Sequence, residues 1–167
     1  MEIVDIIIDG YNLIGSEQGL RGALDHKRDG LVQRLERYHQ AKGFFISVVF
    51  DGWKAGQFTE TIEKANGVTV IFSRQGEKAD SVVVRLARQI GSGCVVVSSD
   101  REVRSSVEKF GATAIYAGEF CEILRQLDGP GRDEEYFDGE PDPFRGGSRF
   151  SKTERRRQEK LKKLRLP

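Results

Sequence analysis

Residues 2–10 read EIVDIIIDG, a short apolar run that stops on an aspartate and a glycine. Apolar side chains follow one another here without the polar alternation of a half-exposed strand, which is how a strand covered on both faces reads. Four further stretches share the pattern: FFISVVF at 44–50, VTVIF at 68–72, CVVV at 94–97 and TAIY at 113–116. Between them the spacing turns helical. Leu24, Leu31, Leu35 and Tyr38 share one face over 22–42, with Gly43 as a stop signal. Val82, Val83, Leu86, Ala87 and Ile90 form a second helix. Val103, Val107 and Phe110 form a third, which Ser99 and Glu102 open with capping-box spacing. Phe120, Ile123, Leu124 and Leu127 form a fourth. Five buried strands alternating with helices predict a three-layer α/β/α fold around a mostly parallel five-stranded sheet.

The 167-residue chain is 38% hydrophobic and 32% charged, enough apolar material for one core. No apolar run approaches the ~18 residues a membrane span needs. The apolar stretch Ile6–Ile8, bounded by Asp5 and Asp9, is too short for the core of a signal peptide. Cys94 and Cys121 make no disulfide framework and read as core thiols. His26 and His39 share no metal-ligand spacing with them and are expected to face solvent from a helix. These features describe a soluble, cytoplasmic protein of a reducing compartment.

The net charge of +1 conceals a partition. Residues 1–127 carry −1, 128–144 carry −6 and 145–167 carry +8. The expected organisation is a globular domain over 1–127, an acidic Gly/Pro linker over 128–147 and a basic helical arm over 148–167, with Leu161 and Leu164 as a thin apolar stripe on the arm.

The acids fall where an open parallel sheet binds ligands, beyond the carboxyl ends of the strands. Asp9 ends the first strand, with Asn12 close behind. Asp51 ends the second, Asp80 opens the helix after the third and Asp100 follows the fourth. Each taken alone is an ordinary turn former or helix cap. Four at one edge are different, because at ~7 Å and an effective dielectric of ~20 each pair repels by about 2.4 kcal/mol. Bound cations or raised carboxyl pKa values relieve that repulsion. Hard oxygen donors suit Mg²⁺ or Mn²⁺ rather than zinc, and such a cluster suits phosphodiester hydrolysis. No GxxxxGK[ST], GxGxxG or GxSxG motif points to an ATPase, a dinucleotide enzyme or a serine hydrolase.

Ten basic residues in the last 23 suit RNA phosphates, among them Arg155, Arg156, Arg157, Lys160, Lys162 and Lys163. Arg85, Arg88, Arg101 and Arg104 extend that surface toward the acids. Tyr11 and Trp53, beside Asp9 and Asp51, are candidates for stacking an unpaired base. A charge run is equally a solvated face, and these two rings are equally ordinary loop packing.

The blocks IIIDGYNLI, VVFDG, VIFSRQGEKADS and VVVSSDREV, in this order, resemble the YacP-like NYN-domain nucleases of the PIN-like superfamily. The likeness spans roughly residues 3–127, with part of the tail FSKTERRRQEKLKKL. It implies an endoribonuclease of single-stranded RNA that uses Mg²⁺ or Mn²⁺. Asp9, Asp80 and Asp100 would be the metal ligands, and Asp51 and Asn12 would be positioning groups. It also implies 5′-phosphate and 3′-hydroxyl products and, from one branch that cuts mRNA in the ribosomal A site, a ribosomal partner. The competing readings are a non-catalytic RNA- or ribosome-binding module and a phosphatase of small esters.

Overall fold

The computed structural model describes residues 4–56, 58–128 and 151–166. Its element order is β1 (Asp5–Asp9), α1 (Gly10–Gln18), α2 (Leu24–Lys42), β2 (Phe45–Phe50), β3 (Thr61–Ala65), β4 (Val68–Phe72), α3 (Ala79–Ile90), β5 (Cys94–Val97), α4 (Arg101–Glu108), β6 (Thr113–Ile115), α5 (Ala117–Asp128) and α6 (Lys152–Leu164). The strands form one sheet in the order β3-β4-β2-β1-β5-β6. All neighbours are parallel except β3 and β4.

The alternation of side chains across the strands builds two cores. Ile6, Ile8, Val48, Phe50, Val95 and Val97 face α1, α2, α5 and α6. Ile7, Val49, Ile71 and Val96 face α3 and α4. A sheet clad by helices on both faces explains the unbroken hydrophobicity of its strands. Cys94 and Cys121 are free thiols buried in these cores. No described helix is long and apolar enough to cross a membrane.

The five expected strands are all present, and the sheet has a sixth. Strand β3 is an edge strand joined to β4 through Asn66 and Gly67, both at positive φ (47° and 87°), the two-residue turn that an Asn-Gly pair favours. Helix α1 is likewise additional to the expected elements, and starts the moment β1 ends. Helix α2 ends as expected, with Gly43 in the left-handed region at φ 72°. His39 does not face solvent: its ring is half-buried against Gly67, and its Nδ1 lies 2.7 Å from the Phe44 carbonyl oxygen. The turn of the β3–β4 hairpin covers it. The acidic linker expected over 128–147 lies, Asp128 apart, outside the described residues. The helix expected beyond it is α6, whose Leu161 and Leu164 are buried in the larger core.

Gly10 shows why the β1–α1 junction needs a glycine. A Cβ there would stand 2.3 and 2.5 Å from two carbons of the Phe50 ring. That ring is fully buried, with centroids 5.2 Å from Tyr11 and 5.6 Å from Phe72, so it has nowhere to move. Gly10→Ala is expected to cost about 1–3 kcal/mol through overpacking, read as a lower melting temperature. An unchanged melting temperature would show that the junction relaxes freely.

Candidate active site

Strand order reverses between β1 and β5. From β1 the chain moves outward through β2 and β4, then returns to the other side of β1 with β5. A crevice opens at such a point beyond the carboxyl ends of the two strands. Asp9 is the last residue of β1 and the N-cap position of α1. Asp100 follows β5 as the N-cap of α4, and Asp80 lies in the first turn of α3.

Asp80 and Asp100 both act on Asp9. Burial pushes the Asp9 carboxyl up from 3.8 to about 6, and the negative charges of Asp80 and Asp100 push the same way. The Asn12 backbone and the Lys54 ammonium pull it partly back. Asp51 is not among the charges that act on Asp9, and the register places it further along the chain. Asp9 pairs with Val49, which leaves Asp51 two residues further on, just past the end of β2, about 6–7 Å at a strand's rise. There one Asp51 carboxylate oxygen accepts a hydrogen bond from the Trp53 amide at 3.1 Å and shapes the following turn.

The β5–α4 loop is held on every side. Asn12 Oδ1 accepts the Ser99 amide at 2.8 Å, which ties α1 across the crevice to this loop. Buried Ser98 accepts the Asp100 amide through its hydroxyl at 3.1 Å, and Ser99 Oγ accepts the Ala117 amide at 3.0 Å. The capping-box expectation is corrected here. Asp100, not Ser99, caps α4, with one oxygen accepting from Glu102 and Val103 at 2.9 and 3.1 Å. Ser99 is committed to Asn12 and Ala117, and a carboxylate at an N-cap also complements the helix dipole. Asp80 accepts the Ser81 amide at 2.9 Å through one oxygen.

The candidate rings and cations divide sharply. Tyr11 is only 5% exposed and its hydroxyl accepts from Arg28 at 2.8 Å, so it is part of the core and offers no stacking face. Trp53 is 71% exposed. Arg104 lies over the Tyr116 ring at 3.6 Å and donates to the Ser98 and Ala114 carbonyls. Buried Arg157 bridges Glu119 of α5 and Glu154 of α6. Arg85 pairs with Glu60 and Glu77, and Arg88 lies over the Phe110 ring. Arg101, Arg155, Arg156, Lys162 and Lys163 are exposed, and Lys160 is half-buried. Lys54 was absent from the expected site. Its ammonium stands over the Tyr11 ring at 5.2 Å and acts on Asp9, and its place in DGWK, three residues past Asp51, was the available signal.

The chemistry of the three carboxylates is that of hard oxygen donors, and Asp9, half-buried and raised first by its burial and then by Asp80 and Asp100, is the one that would gain most from a nearby cation. As they stand they do not form a closed cage: among the described residues no three acidic, His or Cys side chains are grouped closely enough to hold an ion.

The family model of the YacP-like NYN domain matches residues 6–165. The YacP protein of Bacillus subtilis, itself uncharacterised, is 30% identical over 94 residues, 52% of this chain and 53% of that protein. The chain thus matches about half the length of this curated relative. Two crystal structures of Rae1 (YacP) from Bacillus subtilis share the fold. One, of a single-substitution variant, has a TM-score of 0.63 at 25% identity over 75% of this chain and 77% of the other. The second has a TM-score of 0.61 at 26% identity over 77% and 76%.

Proposed function

The chain belongs to the YacP-like NYN domain family, and on that premise we propose that it is a metal-dependent endoribonuclease that cuts single-stranded RNA, with the ribosome as its partner. NYN domains are generally nucleases, and the fold is the PIN-like α/β fold of the Rae1 (YacP) structures. The observation that carries the reading is Asp9, a carboxylate half-buried at the switch point with Asp80 and Asp100 acting on it. Capping accounts for Asp100 and a local backbone bond for Asp80, but neither role calls for a third, half-buried carboxylate at Asp9 within reach of both charges.

Asp9, Asp80 and Asp100 would hold Mg²⁺ or Mn²⁺, and such an ion would supply Lewis-acid activation of water and charge neutralisation at the phosphate. The chain's own residues do the rest. Asp80 commits one oxygen to the Ser81 amide and Asp100 one oxygen to the Glu102 and Val103 amides, so each would have its second oxygen to offer a cation. Asn12 fixes the separation of α1 from the β5–α4 loop, and so of Asp9 from Asp100. Lys54 supplies a positive charge beside Asp9 for the incoming phosphate. Attack of water on phosphorus with departure of the 3′ oxygen would leave a 5′-phosphate and a 3′-hydroxyl.

The test is cleavage of an end-labelled single-stranded RNA with Mn²⁺ or Mg²⁺ and with EDTA, across pH. Internal cuts should require the metal. Activity should rise as pH passes the Asp9 value of about 6, because only the ionised carboxylate can act as a ligand. Since metal and proton compete for that carboxylate, the midpoint should move to lower pH as metal is raised. If neither free RNA nor RNA on translating ribosomes is cut, the binding-module reading takes its place.

A further inference from the structure

Two large aromatic side chains in the β2–β3 connection face water. Trp53 is 71% exposed and Phe58 is 75% exposed. Burying such a side chain is worth about 1.5–3 kcal/mol, and the fold forgoes it twice within six residues. Slack in the connection does not explain this, because the connection is fastened at both ends. The Gly52 amide donates to the buried Ser73 hydroxyl at 3.1 Å, the Trp53 amide to Asp51 at 3.1 Å, and the Gln75 amide to the Phe58 carbonyl at 3.0 Å. The connection is therefore built onto the segment that leads from β4 to Asp80, and its indole is exposed on a backbone that is fastened.

The surroundings specify what the indole would meet. Lys54, the next residue, reaches back over Tyr11 to act on Asp9. Arg28, bonded to the Tyr11 hydroxyl, lies 5.8 Å from the Phe72 ring centroid. An exposed indole followed in the chain by a lysine that reaches Asp9 matches a polynucleotide: ring for base, cation for phosphate. An apolar protein segment would gain nothing from that charge.

We infer that Trp53 is the base-stacking platform of the site, holding an unpaired RNA base next to the scissile phosphate while Lys54 meets the backbone. This rests on the nuclease reading for its substrate, but not for its test. A duplex has no free base face, so the platform selects single strands without reading their sequence.

Trp53 is the only tryptophan of the chain, so its emission reports on the platform alone. In EDTA, where the strand stays intact, a labelled oligouridylate should bind by anisotropy and quench that emission. The same strand annealed to its complement should quench far less. Trp53→Ala should weaken single-strand binding about tenfold, within the range stacking commands, with an unchanged melting temperature, and Trp53→Phe should recover most of the loss. Wild-type affinity in Trp53→Ala, unaltered emission in a wild-type complex, or no single-strand binding at all would each overturn the platform. The two readings fail separately. Quenching by a strand that no metal induces the protein to cut sinks the nuclease and spares the platform. Cutting with undiminished affinity in Trp53→Ala does the reverse.

Discussion

Asp9→Asn is expected to abolish cleavage and, in metal-free buffer at neutral pH, to make the protein harder to unfold. The two effects have one cause. Asp9 is the acid on which burial and the charges of Asp80 and Asp100 converge. An amide of the same shape keeps the packing but removes the charge that a cation needs. Losing a metal's several kcal/mol of transition-state stabilisation at 1.36 kcal/mol per tenfold means a rate lower by on the order of a thousandfold or more. The stability gain follows from linkage. A carboxyl raised from 3.8 to about 6 in the folded chain binds its proton more tightly folded than unfolded. The wild type therefore bears no penalty below about pH 4, an increasing one from 4 to 6 and the whole of it above 6, roughly 2–3 kcal/mol. The melting-temperature advantage of the variant should accordingly be a few degrees at pH 7 and vanish at pH 4. Added Mn²⁺ should stabilise the wild type and not the variant. A variant that still cuts would remove Asp9 from the site. A variant that melts lower at pH 7 would show that its carboxylate is satisfied without a cation.

The same acid shows how far the sequence reaches. That the charges of Asp80 and Asp100 reach Asp9 was legible because unbroken hydrophobicity marks parallel strands, and parallel strands deliver their carboxyl ends, and the helices that follow them, to one edge. The Asp51 offset was not legible, since it depends on the register of β1 against β2, which apolar runs on both strands leave open. Strand β3 escaped for a different reason. Its residues TIEKA lie at a sheet edge, mostly exposed, and carry little hydrophobic pattern; the Asn66-Gly67 turn was the one local sign of it. Helix α1 left no boundary signal because Asp9 serves at once as strand end and helix cap position. Arg104 and Arg157 show the limit for charges. Their spacing matches that of the exposed basic residues, and only the placement of Tyr116, Glu119 and Glu154 reveals that both are committed internally.

That internal commitment bears on the other large effect, removal of the basic C-terminal helix. A solvated arm would come off without harm, whereas α6 is docked. Leu161 and Leu164 lie in the core with Phe120 and Leu124, and the buried Tyr38 hydroxyl donates to the Leu164 carbonyl at 2.7 Å. Arg157 bridges to Glu119 of α5. Two leucines at about 1.5–3 kcal/mol each already approach the lower end of the 5–15 kcal/mol that keeps a domain folded. Deleting residues 151–167 is therefore expected to leave an unfolded or aggregating chain, so its loss of RNA binding would say nothing about charge. The informative change is on the outer side, where Arg155, Arg156 and Lys162 are exposed. With glutamine at all three positions, the melting temperature should hold within a degree or two, because exposed helix substitutions away from caps and core cost little. RNA affinity should fall, and each lost phosphate contact should flatten the dependence of log affinity on log salt by about 0.7 for a single strand, about 2 in all. The same slope in variant and wild type would mean that the outer side of α6 serves solubility, leaving phosphate recognition to Lys54 and the crevice. A flattened slope with unchanged cutting of short oligonucleotides would make α6 the element that holds a long RNA, or the ribosome that carries it, while the acids at the switch point do the chemistry.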